Sequence, residues 1–239
     1  VTETHQTPAD APTPDDLETL SRQLGRPVRD VVAIPARCVC GNPLVAATAP
    51  RLANGTPFPT TFYLTHPVIT SAVSRLEAAG LMAEMNDRLA ADPALAAAYR
   101  RAHEAYLAAR EEIGRRAGTG PVPEIDGVSA GGMPTRVKCL HVLVGQSLAL
   151  GPGVNPLGDE AIEGISAWWT PGACYCAGAW DTDGQAPDRD LSRHGPQGLP
   201  AMTGRPAPVR RSEASGDAAS APAVGEDAAG ESMAGEDPA

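Results

Sequence analysis

The residues with the most chemistry in the shortest span lie at 129–141. Ser129, Ala130, Gly131, Gly132, Met133 and Pro134 run into Thr135, Arg136, Val137, Lys138, Cys139, Leu140 and His141. Lys138 is the single lysine in a chain with 18 arginines. An ammonium is a compact point charge where a guanidinium is a planar fork, so one retained lysine marks a place where the ammonium has a use. A glycine-rich approach to a helix start lets an anion reach free N–H groups and the positive end of the helix dipole. The expectation is a phosphate or carboxylate site. In it Ser129, Gly131 and Gly132 supply backbone N–H groups, and Arg136 and Lys138 supply counter-charge. The spacing matches neither a Walker loop nor a dinucleotide fingerprint, and a capped core helix with two solvated cations fits the same residues. Cys139, His141 and Lys138 are the candidates for catalysis, because a helix start and two cations favour a Cys139 thiolate.

Three close pairs of soft ligands recur along the chain: Cys38 with Cys40, Cys139 with His141, and Cys174 with Cys176. Zinc takes four nitrogen or sulfur ligands in a tetrahedron, usually from C-x-x-C turns, and the bite of C-x-C is more cramped. The candidate zinc or iron–sulfur ligand set is Cys38, Cys40, Cys139 and His141, with His66 as the other choice for the fourth ligand. Plain structural thiols are the competing reading. On a helix Cys139 and His141 stand about 200° apart and do not readily share an ion. An extended chain would put them on one side.

Positioning these residues requires a small α+β fold. Thr13 and Pro14 start a helix with a stripe of Leu17, Leu20 and Leu24 that Gly25 ends. Residues 28–37 read as a strand with Pro35 at an edge or bulge, 44–48 as the next, and 60–64 as the returning strand after a turn at Asn54 and Gly55. The result is an antiparallel sheet of about three strands, with Phe58 and Phe62 as core anchors. Helices follow from Thr65 as cap to Gly80, over 81–91, and from Asp92 to about Arg116. In the last of these His103 and Arg110 fall on the solvated face. Apolar residues at 133, 137, 140, 144 and 148 predict a largely buried central helix starting at Pro134 and stopping at Gly151. Asp159 and Glu160 open one more helix. About five helices therefore pack the sheet in a single domain over 13–180, between a disordered 1–12 and a disordered acidic tail over 181–239.

The chain has 239 residues and a formal net charge of −10, and aromatics make up 4%. The domain is only mildly acidic and has no basic stripe, which argues against nucleic acid as a partner. No window approaches a membrane span, and the N-terminal residues have no apolar signal core. The expectation is a cytoplasmic protein with its five cysteines reduced.

Several motifs together resemble the DUF501 family, common in actinobacteria. They are Arg37 with Cys38; Pro57, Phe58, Pro59 and Thr60 with Tyr63, Leu64, Thr65, His66 and Pro67; residues 129–134 with 136–141; and Asn155, Pro156, Leu157, Gly158, Asp159 and Glu160. The resemblance covers about residues 13–165. It implies no assigned activity. It does imply a gene neighbourhood similar to that of a septum-formation initiator and an exopolyphosphatase, and so an unidentified protein partner in division or envelope work. Three functional expectations stand side by side: a domain binding a small anion at 129–141, an interaction scaffold using the 93–116 helix and the tail, and a structural metal protein.

Overall fold

Thr13 and Asp16 close the first helix, α1 (Pro14–Leu24), with a reciprocal capping box, and Gly25 ends it at a positive φ of 66°. Asp16 has a second task. Its two carboxylate oxygens accept from both Arg37 guanidinium nitrogens at 2.6 and 2.9 Å. That fork holds α1 against the end of the first strand. Arg37 also donates to the Gly41 carbonyl at 2.9 Å, so the same side chain braces the turn that carries Cys38 and Cys40.

The structure is a computed structural model and describes residues 10–180. The expectations for residues 1–9 and 181–239 lie outside the described residues. Asp10, expected to belong to a disordered stretch, accepts the Ile34 N–H at 2.9 Å and so continues the sheet by one bridge.

Strands β1 (Val31–Arg37), β2 (Pro43–Thr48) and β3 (Phe62–Leu64) form an antiparallel sheet in that order. β1 is an edge strand, and its register shifts around Pro35, which cannot donate to a ladder. β2 is buried along its whole length because both its faces are covered. Ala46 points to Leu20 of α1 and to Ile34. Val45 and Ala47 point the other way, into the main core.

Six helices complete the α+β fold: α1, then α2 (Pro67–Ala78), α3 (Leu81–Ala91), α4 (Pro93–Ala117), α5 (Leu140–Leu150) and α6 (Pro156–Gly164). All three strands pack on α5, as do α2 and α6. The fit is close. A Cβ on Gly158 would lie 2.4 Å from the Leu143 carbonyl oxygen and from Ser147 Oγ, and one on Gly145 would lie 3.2 Å from the Phe62 carbonyl. α4 is tied to the lead-in of β3 by Tyr106, whose hydroxyl accepts the Thr61 N–H at 2.7 Å and whose ring meets Phe62 edge-on at 5.4 Å. Phe62 is buried; Phe58, the other expected anchor, is only half-buried.

Three expectations change. The central helix starts at Leu140, not Pro134, and residues 130–138 form turns. Met133 and Val137 are buried as their spacing predicts, but side chains from other helices take the backbone groups that a helix would use. Asn86 accepts the Val137 N–H at 2.8 Å and donates to its carbonyl at 3.0 Å, and Tyr99 donates to the Arg136 carbonyl. His103 and Arg110 do not face solvent. His103 is 8% exposed and hydrogen-bonds Ser129 Oγ at 2.9 Å. Arg110 donates to the carbonyls of Ile125 and Val128. The loop at 125–129 lies over the polar face of α4, and burial lowers the pKa of both groups. Finally, Thr65 does not cap α2. It donates to the Leu44 carbonyl, and fully buried His66 takes the cap position.

Two outcomes follow. Gly158→Ala forces its methyl into backbone and should destabilise the protein by about 2–4 kcal/mol, read as a lower urea midpoint at unchanged slope. The Arg37 guanidinium beside Asp16 holds that carboxyl down at about 2, from an ordinary 3.8, against the opposing effect of burial. The stability from this pair is therefore complete above the ordinary value and is lost as pH falls through about 2. Asp16→Asn should cost about 1–3 kcal/mol near neutrality. Its deficit relative to the wild type should shrink as unfolding is repeated from pH 4 down to 2.

Candidate metal centre

The turn between β1 and β2 is tight because Cys38 donates its N–H to the Asn42 carbonyl at 2.8 Å and Gly41 donates to the Cys38 carbonyl at 2.8 Å. Gly41 takes a φ of 93°, which a side chain would resist. This turn carries one buried thiol, Cys38, and one exposed thiol, Cys40. A second turn meets it from the far end of the domain. Trp168 and Trp169 are buried beyond α6, and the Ala179 N–H closes on the Cys176 carbonyl. The Trp180 ring lies edge-on to His66 at 5.5 Å.

Together the turns bring Cys38, Cys40, Cys174 and Cys176 within one small volume. All four Sγ atoms lie within 4.8 Å of one another. Cys40 and Cys176, 136 positions apart, are separated by 3.4 Å, and none of the four is in a disulfide. Cys38 is buried, Cys176 half-buried, and Cys40 and Cys174 exposed. His66 stands behind the quartet with Nε2 at 3.5 Å from Cys176 Sγ. Burial raises the Cys38 and Cys176 thiols. Burial also raises Cys40, but the Asn42 backbone and the neighbouring thiols outweigh it and bring that group down to about 7. Four thiols this close cannot all ionise unless a cation stands among them.

The expected ligand set of Cys38, Cys40, Cys139 and His141 is thus divided. Cys38 and Cys40 meet the Cys174 and Cys176 pair, and Cys139 and His141 meet Glu77 instead. The signal for the quartet was in the sequence as a repeated C-x-C with a glycine shortly after each pair, Gly41 and Gly178. Nothing in the sequence marked Glu77, which the packing of α2 on α5 brings into place.

Cys139 is the extended residue that caps α5, so it and His141 are not the two helical residues whose directions would diverge. Cys139 Sγ lies 3.9 Å from His141 Nδ1. Glu77 Oε1 lies 3.1 Å from the same nitrogen and accepts the Leu140 N–H at 2.7 Å. Lys138 and Arg136 are exposed. Ser129 is buried, with its hydroxyl on His103, and the Lys138 N–H donates to the Gly131 carbonyl at 2.7 Å. Gly131 and Gly132 have positive φ angles of 73° and 92°, and a Cβ on Gly132 would lie 2.6 Å from the Arg136 carbonyl. The anion at the start of α5 is the protein's own Glu77.

Fold and thiols together define an α+β domain of three antiparallel strands and six helices, with a cysteine quartet that joins its sheet edge to its C-terminal turn. The chain belongs to the DUF501 family, described as proteins of unknown function, whose model matches residues 34–163. Cys38, Cys40, Glu77, Cys139 and His141 fall inside the matched segment, and Cys174 and Cys176 follow it. No curated protein and no solved structure matches the chain. No helix among the described residues is long and apolar enough to cross a membrane.

If Glu77 is the resident anion of α5, its loss and the loss of the lysine must differ. Glu77→Ala should cost about 0.5–2 kcal/mol, the range of a lost helix cap. Lys138→Ala should stay within about 0.5 kcal/mol of the wild type. Urea unfolding of the two variants makes the comparison, and equal losses would contradict the assignment.

Proposed function

We propose that this is a structural metal protein, in which Cys38, Cys40, Cys174 and Cys176 bind one zinc ion that staples the β1–β2 turn to the C-terminal turn. The observation that carries the reading is the approach of four sulfurs, from segments 136 positions apart, to within 4.8 Å of one another. A zinc–sulfur bond of about 2.3 Å gives a tetrahedral edge of roughly 3.8 Å, and the Cys40–Cys176 separation of 3.4 Å is near that edge. The spacing favours one ion over an iron–sulfur cluster, in which iron and sulfide atoms would hold the thiolates further apart. Four thiolates fill the coordination sphere and leave no open position, which is the arrangement of a structural site. His66, through its Nε2, is placed to support the Cys176 sulfur from behind.

The other readings have weaker support. A small anionic ligand at Ser129, Gly131, Gly132, Arg136 and Lys138 would have to do without the first amide of α5, which Glu77 already engages. A scaffold using α4 would have to use its charged face, because Tyr99, Ala102, Tyr106 and Ile113 are buried in the domain's own core.

Elemental analysis of the untagged full chain, purified gently and under reducing conditions, tests the proposal. About one tightly held zinc per chain is expected, lost in Cys40→Ser and in Cys176→Ser and kept in His141→Ala. Protein without tightly held metal overturns the reading, as does a metal content left unchanged by both serine variants. A Cys40–Cys176 disulfide in the purified protein would overturn it as well.

A further inference from the structure

We infer that Glu77, Cys139 and His141 form a second metal site, open to solvent and suited to a divalent transition ion such as Zn2+. It lies where the last turn of α2 meets the start of α5 and shares no ligand with the cysteine quartet.

His141 Nε2 lies 3.1 Å from the Thr70 carbonyl oxygen and 3.3 Å from Ser74 Oγ. A carbonyl can only accept, so Nε2 is the nitrogen that carries the hydrogen. In the neutral ring the lone pair is then on Nδ1, the nitrogen that faces Glu77 and Cys139. A histidine oriented by a backbone carbonyl on its far nitrogen is the usual support of a metal ligand. Glu77 is oriented too, because Oε1 accepts the Leu140 N–H at 2.7 Å. Two of the three donors are therefore held from outside the site by backbone groups.

The distances suit one ion. Bonds of about 2.0–2.2 Å to nitrogen and oxygen and about 2.3 Å to sulfur give tetrahedral edges of roughly 3.3–3.7 Å. The separations from Nδ1 are 3.1 Å to Oε1 and 3.9 Å to Sγ, on either side of that range. All three donor atoms lie within 4.8 Å of one another. The set mixes nitrogen, sulfur and oxygen, which suits zinc and its transition-metal neighbours better than calcium or magnesium.

The number of donors separates this site from the quartet, three against four. The Glu77 and His141 side chains are 23% and 26% exposed, so water reaches them. Three protein ligands and a fourth position left to water is the pattern of zinc sites that do chemistry, where the bound water becomes acidic near neutral pH. The rival arrangement has the same atoms with a proton on Nδ1 instead of a metal: an imidazolium–carboxylate pair that caps α5.

The test uses the full chain, stripped of metal under reducing conditions and titrated with Co2+ alone. Thiolate-to-cobalt charge-transfer absorption reports how many sulfurs bind each ion. Wild type should show a second binding class with the intensity of a single thiolate. Cys139→Ser should abolish that absorption. His141→Ala should weaken the class more than about 100-fold, beyond the roughly 10–100-fold that losing an outer-shell partner costs. Both variants should keep the four-thiolate class, which also shows that they fold. Only one class in the wild type would overturn the inference and identify the trio as the protonated cap. A second class that survives Cys139→Ser and His141→Ala unchanged would overturn it as well. Cobalt in the quartet is read separately from its own four-thiolate band, so failure of one site leaves the other assignable.

Discussion

Helix α5 has no polar face to give to water. Its 11 residues are apolar along most of their length, and all three strands, α2 and α6 close around it. Packing around its buried residues 140 and 143–147 leaves little freedom to adjust, so neighbours approach at backbone distance. Gly158 and Gly145 permit this, one against the α5 backbone and the other against β3. Polar groups inside such a contact need partners. Gln146 donates to the Ala102 carbonyl of α4 and accepts from Asn155, whose own Oδ1 caps α6. One buried amide pair thus registers α4, α5 and α6 against each other.

Both thiol clusters form where this packing ends. At the N-terminus of α5 the helix leaves the core beside the last turn of α2, and Glu77 reaches its first amide there. The same carboxylate brings His141 and Cys139 into one group. At the sheet edge the Asp16–Arg37 fork and the Arg37–Gly41 bond hold the turn that presents Cys38 and Cys40. The second cysteine turn reaches that edge because Trp168, Trp169 and Trp180 are buried against the domain. Apolar burial selects where these turns lie, and hydrogen bonds to backbone carbonyls select how their side chains point.

The boundaries of α1, α2, α3 and α4 were legible because each carries its own signal: proline in the first turn, a cap at Thr13 or Asp92, or glycine in or beside the closing turn. The start of α5 was not legible. Met133 and Val137 keep the apolar period and are buried, yet Asn86 and Tyr99 take the backbone groups on which a helical turn would depend. Periodicity reports which residues leave water and is silent about which partner satisfies the backbone. His103 and Arg110 follow the same logic. Their spacing puts them on the polar face of α4, and only the loop at 125–129 converts that face into an interface.

The sequence alone determined the class of fold, the family motifs, most helix ends and the three cysteine-bearing pairs, because these depend on neighbours a few positions apart. Tertiary structure alone decided which pairs meet. Cys38 and Cys40 join Cys174 and Cys176, and Cys139 and His141 join Glu77. Spacing within a pair sets the bite of two ligands. A site of three or four ligands also needs the distance between segments, and that distance comes from the packing around α5.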